Sequence, residues 1–183
     1  MNETTNDRAS WVMEVLGQHE AALVAYAARH VRDVHAARDV VQEAFLRLCG
    51  EDRTAFDGTA GPHVRAWLYT VCRRLAIDAA RKERRMDSAG EAVMEERLGR
   101  EADPAAGAET RDEAAHALSL LADLPENQRE CIDLKFRHGL MYREIAEVTG
   151  LTVGNVGFLI HTGLQTLRGR LGREARRAAG GAL

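Results

Sequence analysis

Proline occurs at only three positions of this 183-residue chain, 62, 104 and 125. Proline breaks a helix anywhere but in its first turn, so the segments between those positions are free to form long helices. Alanine, leucine, glutamate and arginine, all strong helix formers, are abundant, and aromatic residues make up only 5%. An all-α fold is therefore expected, with 45% apolar residues available for packed cores. The spacing predicts a first helix from Trp11 to about Val31, capped by Ser10, with Leu16, Leu23, Val24 and Ala27 on one side. Asp33 caps a second helix through Cys49, with Ala37, Val41, Ala44, Phe45 and Leu48 as its apolar stripe and Gly50 as its stop. A polar loop, 51–61, leads to Pro62. Proline is preorganised for a first helical turn, so a third helix begins there, burying Val64, Trp67, Leu68, Val71 and Leu75.

Beyond Arg85 the periodicity lapses. Residues 87–110 read as a flexible acidic linker. A second domain comes after it, with a helix ending at Ala122–Asp123 and another from Pro125 through Phe136, ended by Gly139. A short helix, Met141–Thr149, then meets one from Val153 to about Leu171 across Gly150, with Thr152 as a cap. The architecture is two small helical domains, 9–86 and 111–175, on either side of the linker. Two short helices meeting at a glycine turn, with Ile145, Ala146, Leu151 and Val156 filling the angle, are the plan of a DNA-binding helix-turn-helix. An ordinary helical hairpin satisfies the same spacing.

The net charge of −3 conceals an uneven map. Between Arg73 and Arg85 six basic residues face two acids, and between Met86 and His116 nine acids face three arginines. Between Arg168 and Arg177 five arginines face one glutamate. The basic end of the third helix suits phosphate neutralisation, and equally a cationic complement to the helix dipole. Phe56 and Tyr69 lie off the apolar stripes and are candidates for base stacking, whereas Trp67 and Phe45 lie on them and fit a core. Cys49, Cys72 and Cys131 are odd in number and far apart, and the seven histidines are scattered. Neither a disulfide framework nor a metal site is expected. No phosphate-binding glycine loop or nucleophile motif occurs, so no cofactor and no enzymatic chemistry are expected. No apolar run approaches the ~20 residues of a membrane span. The first ten residues lack the profile of a secretory signal, so a cytoplasmic setting without membrane insertion is expected.

Three segments, carrying four signatures, together resemble the extracytoplasmic-function (ECF) sigma factors of bacterial RNA polymerase. DVHAARDVVQEAFLRLC is similar to the family's polymerase-binding helix. HVRAWLYTVCRRLAIDAARKERR is similar to its promoter-opening helix. LADLPENQRECIDLKFRHGLMYREIAEVTGLTVGNV resembles two further signatures, the Leu-Pro-x-x-x-Arg opening and the helix-turn-helix of the second domain. The resemblance covers roughly residues 11–85 and 112–171. It implies a factor that binds core polymerase through Asp39, Gln42, Glu43, Phe45 and Arg47, with Phe45 shared between core and interface. It implies that Arg73, Arg74, Arg81, Lys82, Arg84 and Arg85 hold the backbone of melted promoter DNA, with Tyr69 beside them. Residues 56–62, starting at Phe56, would read a flipped base at the minus-ten element. The second domain would contact the minus-thirty-five element through Tyr142, Arg143, Thr152, Gly154, Asn155, Gly157, Phe158, His161, Thr162 and Arg168. Promoter DNA, core polymerase and an anti-sigma factor are the implied partners. The chain departs from the family at Gly157, Leu159 and Thr162, positions usually basic in relatives. Gly154 and Gly157 would admit close approach of the helix backbone to DNA. A plain helix-turn-helix transcription factor and a sigma-like regulator are the rival readings.

Overall fold

The computed structural model describes residues 2–51, 53–56, 62–87 and 119–180. The expected linker, apart from Asp87, and the start of the second domain lie outside the described residues, as do 57–61 of the loop before Pro62. Among the described residues all regular structure is helical. The order is α1 (Asn2–Ala27), α2 (Val34–Gly50), a 3₁₀ turn (Arg53–Phe56), α3 (Pro62–Asp87), α4 (Glu126–Phe136), α5 (Tyr142–Thr149) and α6 (Val153–Gly180). The chain divides into two compact units, one built on α1–α3 and one on α4–α6.

In the first unit α1 begins at Asn2, and Ser10 is an exposed residue within it rather than its cap. No glycine or proline stands between Asn2 and Ser10 to stop the helix. It ends at Ala27, four residues before Val31, because the last carbonyls find tighter partners: Arg29 N–H donates to Tyr26 O at 3.2 Å and His30 N–H to Ala27 O at 2.9 Å. Leu23 and Ala27 are buried as expected, but Leu16 and Val24 are only half-buried, and Trp11, Val12, Val15 and Tyr26 share the core instead. Asp33 caps α2, its Oδ1 accepting from Ala36 N–H at 2.9 Å. The whole expected stripe of α2 is buried, joined by Val40. Gly50 is the last helical residue and is not left-handed; extended Glu51 closes the helix, its N–H donating to Leu48 O at 3.1 Å.

Pro62 opens α3, whose buried line is Val64, Leu68, Cys72 and Ala76, flanked by Ala66 and Tyr69. Trp67, Val71 and Leu75 are half-buried. The expected stripe is therefore turned slightly outward of the true one. An aromatic edge joins α1 to α3: Tyr26 meets Tyr69 edge-on at 5.1 Å between ring centroids.

In the second unit residues 119–122 are helical and Pro125 occupies the N-cap of α4. Two left-handed glycines punctuate the chain beyond α4, Gly139 (φ 67°) and Gly150 (φ 74°), where a side chain would be strained. Glu144, itself buried, reaches back from the first turn of α5 to accept from Met141 N–H at 2.6 Å. Asn155 N–H donates to Thr152 Oγ1 at 3.2 Å, capping α6 as the sequence suggests. Helix α6 continues past Leu171 to Gly180 because the tail contains no proline, and alanine and arginine there outweigh its glycines. Gly163 is buried against α4: a Cβ there would stand 2.6 Å from Ile132 Cδ1. Beneath the turn between α4 and α5, buried Asp133 pairs with His138 Nε2 at 3.1 Å and Arg137 at 3.6 Å.

Candidate nucleic-acid and polymerase interfaces

Helix α2 keeps one face free of its own core. Asp39, Gln42, Glu43 and Arg47 are all exposed there, with Glu43 accepting from Arg47 Nε at 3.0 Å. Phe45 is not available to that face: only 6% exposed, it belongs to the core, which corrects its shared role. The apolar residue at the surface is its neighbour Leu46, 60% exposed. Sequence reading missed Leu46, since leucine signals a core by type. Its phase was the available signal, three residues after Glu43 and four after Gln42 on one helical face.

Helix α3 carries a second face opposite its buried line. Trp67, Thr70, Arg74, Ile77, Arg81 and Arg85 come at intervals of three or four residues, half-buried or exposed. Arg84 and Lys82 flank this line and are exposed, while Arg73 is half-buried. The two aromatic candidates for base stacking are both corrected. Phe56 is 5% exposed, stacked on Trp11 and edge-on to Trp67, each at 5.7 Å. Tyr69 is 2% exposed, against Tyr26. Neither has a π face for a base. Trp67, read from the sequence as core, is the aromatic that reaches the surface beside the cations. Residues 57–61 of the expected base-reading loop lie outside the described residues.

The helix-turn-helix presents α6 by its first turns. Thr152, Gly154, Asn155, Phe158 and His161 are exposed, Phe158 at 65%, while Val156 and Ile160 face inward. Thr162 is half-buried, and Arg168 is exposed farther along. Gly157 is corrected: half-buried, it lies beneath the Tyr142 ring, whose Cε2 would sit 3.5 Å from an added Cβ. The residue serves packing of α5 on α6 rather than approach to DNA. Tyr142 also lies under Lys135, whose Nζ is 5.5 Å from the ring centroid, and Arg143 is exposed beside it. Gln165, one turn beyond His161 and bonded to it at 2.9 Å, completes the outward line Gly154, Phe158, His161, Gln165 and Arg168. Sequence reading passed over Gln165, although it named His161 and Thr162 before it and Arg168 after it.

Among the described residues no group of three or more His, Cys, Asp or Glu is placed to hold a metal ion, and no helix is long and apolar enough to cross a membrane. Burial pushes the Cys72 thiol up to about 12, which makes it a packing group rather than a nucleophile. Burial, reinforced by the Arg65 guanidinium, holds His19 below its ordinary value.

Comparison with known proteins gives the same two parts. The sigma-70 region 2 family profile matches residues 15–86, and that of sigma-70 region 4 matches residues 117–167. The ECF RNA polymerase sigma factor SigL of Mycobacterium tuberculosis is 31% identical over 166 residues, 87% of this chain and 88% of the relative. The ECF RNA polymerase sigma factor SigW of Bacillus subtilis is 31% identical over 153 residues, 78% and 79% of the two chains. In fold the chain is similar to the sigma factor RpoE solved with the anti-sigma factor NepR from Bartonella quintana, with TM-score 0.62 and 23% identity over 87% of this chain and 93% of that one. It is also similar to CnrH solved with the cytosolic domain of CnrY, with TM-score 0.58 and 23% identity over 92% and 97%.

Proposed function

The chain belongs to the ECF sigma factors of RNA polymerase, and from that premise we propose how its surfaces divide the work of initiation. The exposed face of α2, with Asp39, Gln42, Glu43 and Arg47, binds core polymerase in the cytoplasm, and Leu46 adds an apolar contact at its centre. The outer face of α3 holds melted promoter DNA at the minus-ten element: Arg74, Arg81, Lys82, Arg84 and Arg85 neutralise phosphates, and Trp67 offers a stacking surface. Arg73 supports this face from its edge. The second unit docks α6 in the major groove at the minus-thirty-five element, with Asn155, Phe158, His161, Gln165 and Thr162 turned to base edges. Thr152, Tyr142, Arg143 and Arg168 hold backbone. Residues 9–86 form the first functional domain and 111–175 the second, joined by the acidic stretch 87–110. An anti-sigma factor is a further partner on family resemblance. No covalent step is assigned to the chain: binding energy to single-stranded bases offsets the cost of unstacking them.

The observation that carries this reading is the outer line of α3, where a half-buried tryptophan continues into a run of exposed cations on the side opposite the buried line. The experiment combines purified protein with core polymerase on promoters selected from genomic DNA by that holoenzyme. Transcripts starting at a defined position are expected, and their loss in Asp39→Arg with Glu43→Arg, with core affinity reduced and helical signal intact, assigns α2 to the polymerase. Duplex binding by the protein without polymerase would instead mark a plain helix-turn-helix factor. Polymerase binding without transcripts would mark a sigma-like regulator.

A further inference from the structure

The 3₁₀ turn Arg53–Phe56 is held by α1 at both of its ends. Arg8 donates to the Glu51 carbonyl, just before the turn. Three residues along the same helix, Trp11 stacks on Phe56, with 28° between the ring planes. Phe56 in turn meets Trp67 edge-on, at 74°. Trp11 and Phe56 are buried and Trp67 is half-buried, so the series runs from the interior of the first unit to its surface.

Aliphatic side chains would fill this volume without preferring an orientation. Aromatic rings do prefer one, offset-stacked or edge-to-face, and such pairs contribute beyond their buried area. The plane of Trp11 therefore restricts that of Phe56, and Phe56 restricts that of Trp67. A base stacks only on a π face held where the base arrives, so a fixed ring plane is what stacking requires.

We propose that Trp11, acting through Phe56, is a positioning residue for promoter opening: the stack of three rings sets the Trp67 indole on the DNA-facing side of α3. The inference rests on the assignment of that face to melted promoter DNA. Trp11 touches neither DNA nor polymerase in this arrangement, and its effect reaches the promoter only through Trp67.

The test uses the full chain with core polymerase, on a promoter selected by the holoenzyme. Core affinity is measured by competition with labelled protein, and opening by permanganate reactivity of unpaired thymines. Trp11→Leu is expected to lower opening about tenfold, the upper range of an aromatic pair's contribution, while core affinity stays within about twofold. Trp11→Phe, which retains a ring, is expected to restore opening. If Trp11→Leu loses its helical signal, Phe56→Leu takes the same measurement, and loss of folding in both variants overturns the proposal by assigning the stack to stability alone. Opening at the wild-type level, a parallel fall of core affinity and opening, or failure of Trp11→Phe to restore opening each overturns it too. Trp67→Ala separates the two levels of argument. If it abolishes opening while Trp11→Leu does not, only the positioning role falls. If Trp67→Ala opens the promoter normally, the assignment of the α3 face falls, and the positioning role with it.

Discussion

Gly163 shows how a single residue carries meaning that its type conceals. In a helix a glycine costs about 1 kcal/mol relative to alanine, so by type alone Gly163 is a weak point of α6. At Gly163 the space is already taken, with Ile132 Cδ1 2.6 Å from where a Cβ would stand and Gln128 Cβ at 3.5 Å. Gly163→Ala is expected to destabilise the protein by about 1–3 kcal/mol through overpacking. The same substitution with Ile132→Val, which removes the intruding methyl, should recover most of that loss. Denaturant unfolding of the two single variants and the double variant measures the coupling, and additive effects would show that the contact does not limit packing. Phe45 and Leu46 make the complementary point. Both are apolar and adjacent, yet one is core and the other surface, because successive helical residues point about 100° apart.

At the scale of an element, helix ends are legible where a side chain closes them. Asp33 is such a case. The hydrogen bond from Ala36 N–H, then that from His35 N–H and the charges of His35 and Arg32, holds its carboxyl below the ordinary value. A depressed carboxylate contributes stability above its unfolded-state pKa and loses it as pH falls through the lower native value. Thermal melts across the acid range should therefore show the wild type losing ground to Asp33→Asn, whose amide oxygen accepts the same bond without titrating. Parallel melting curves would show that the charge of the cap contributes nothing. The basic end of α3 makes a second expectation. Replacing Arg81, Lys82, Arg84 and Arg85 by alanine should weaken open complexes on all promoters alike and flatten the salt dependence by about one unit of slope per lost phosphate contact. Promoter-selective loss at an unchanged slope would make these residues base readers.

For the whole molecule, charge decides how recognition is shared. With 28 acidic residues against 25 basic, the free chain gains little from the phosphate field, and the first turns of α6 hold no Lys or Arg. The chain without polymerase is expected to bind promoter duplex weakly at physiological salt. Specific recognition should appear in the holoenzyme, where tethering raises the local concentration of the second unit. In that holoenzyme Asn155→Ala should lose about 1–3 kcal/mol of discrimination at one base pair, read by competition among single-base promoter variants. Tight specific binding by the free chain, or unchanged preferences in the variant, would relocate the readout. Taken alone, the sequence determined the helical class, the two-part plan, the caps at Asp33 and Thr152 and the glycine turn at Gly150, because each depends on near neighbours along the chain. Tertiary structure decided how α1 and α3 turn toward the core, whereas the stripe of α2 was already legible. It withdrew Phe56 and Tyr69 into the core, brought Trp67 outward, set Tyr142 over Gly157 and closed α4 on Gly163. Those outcomes depend on partners well beyond the neighbouring turns, and periodicity within one helix carries no record of where such partners stand.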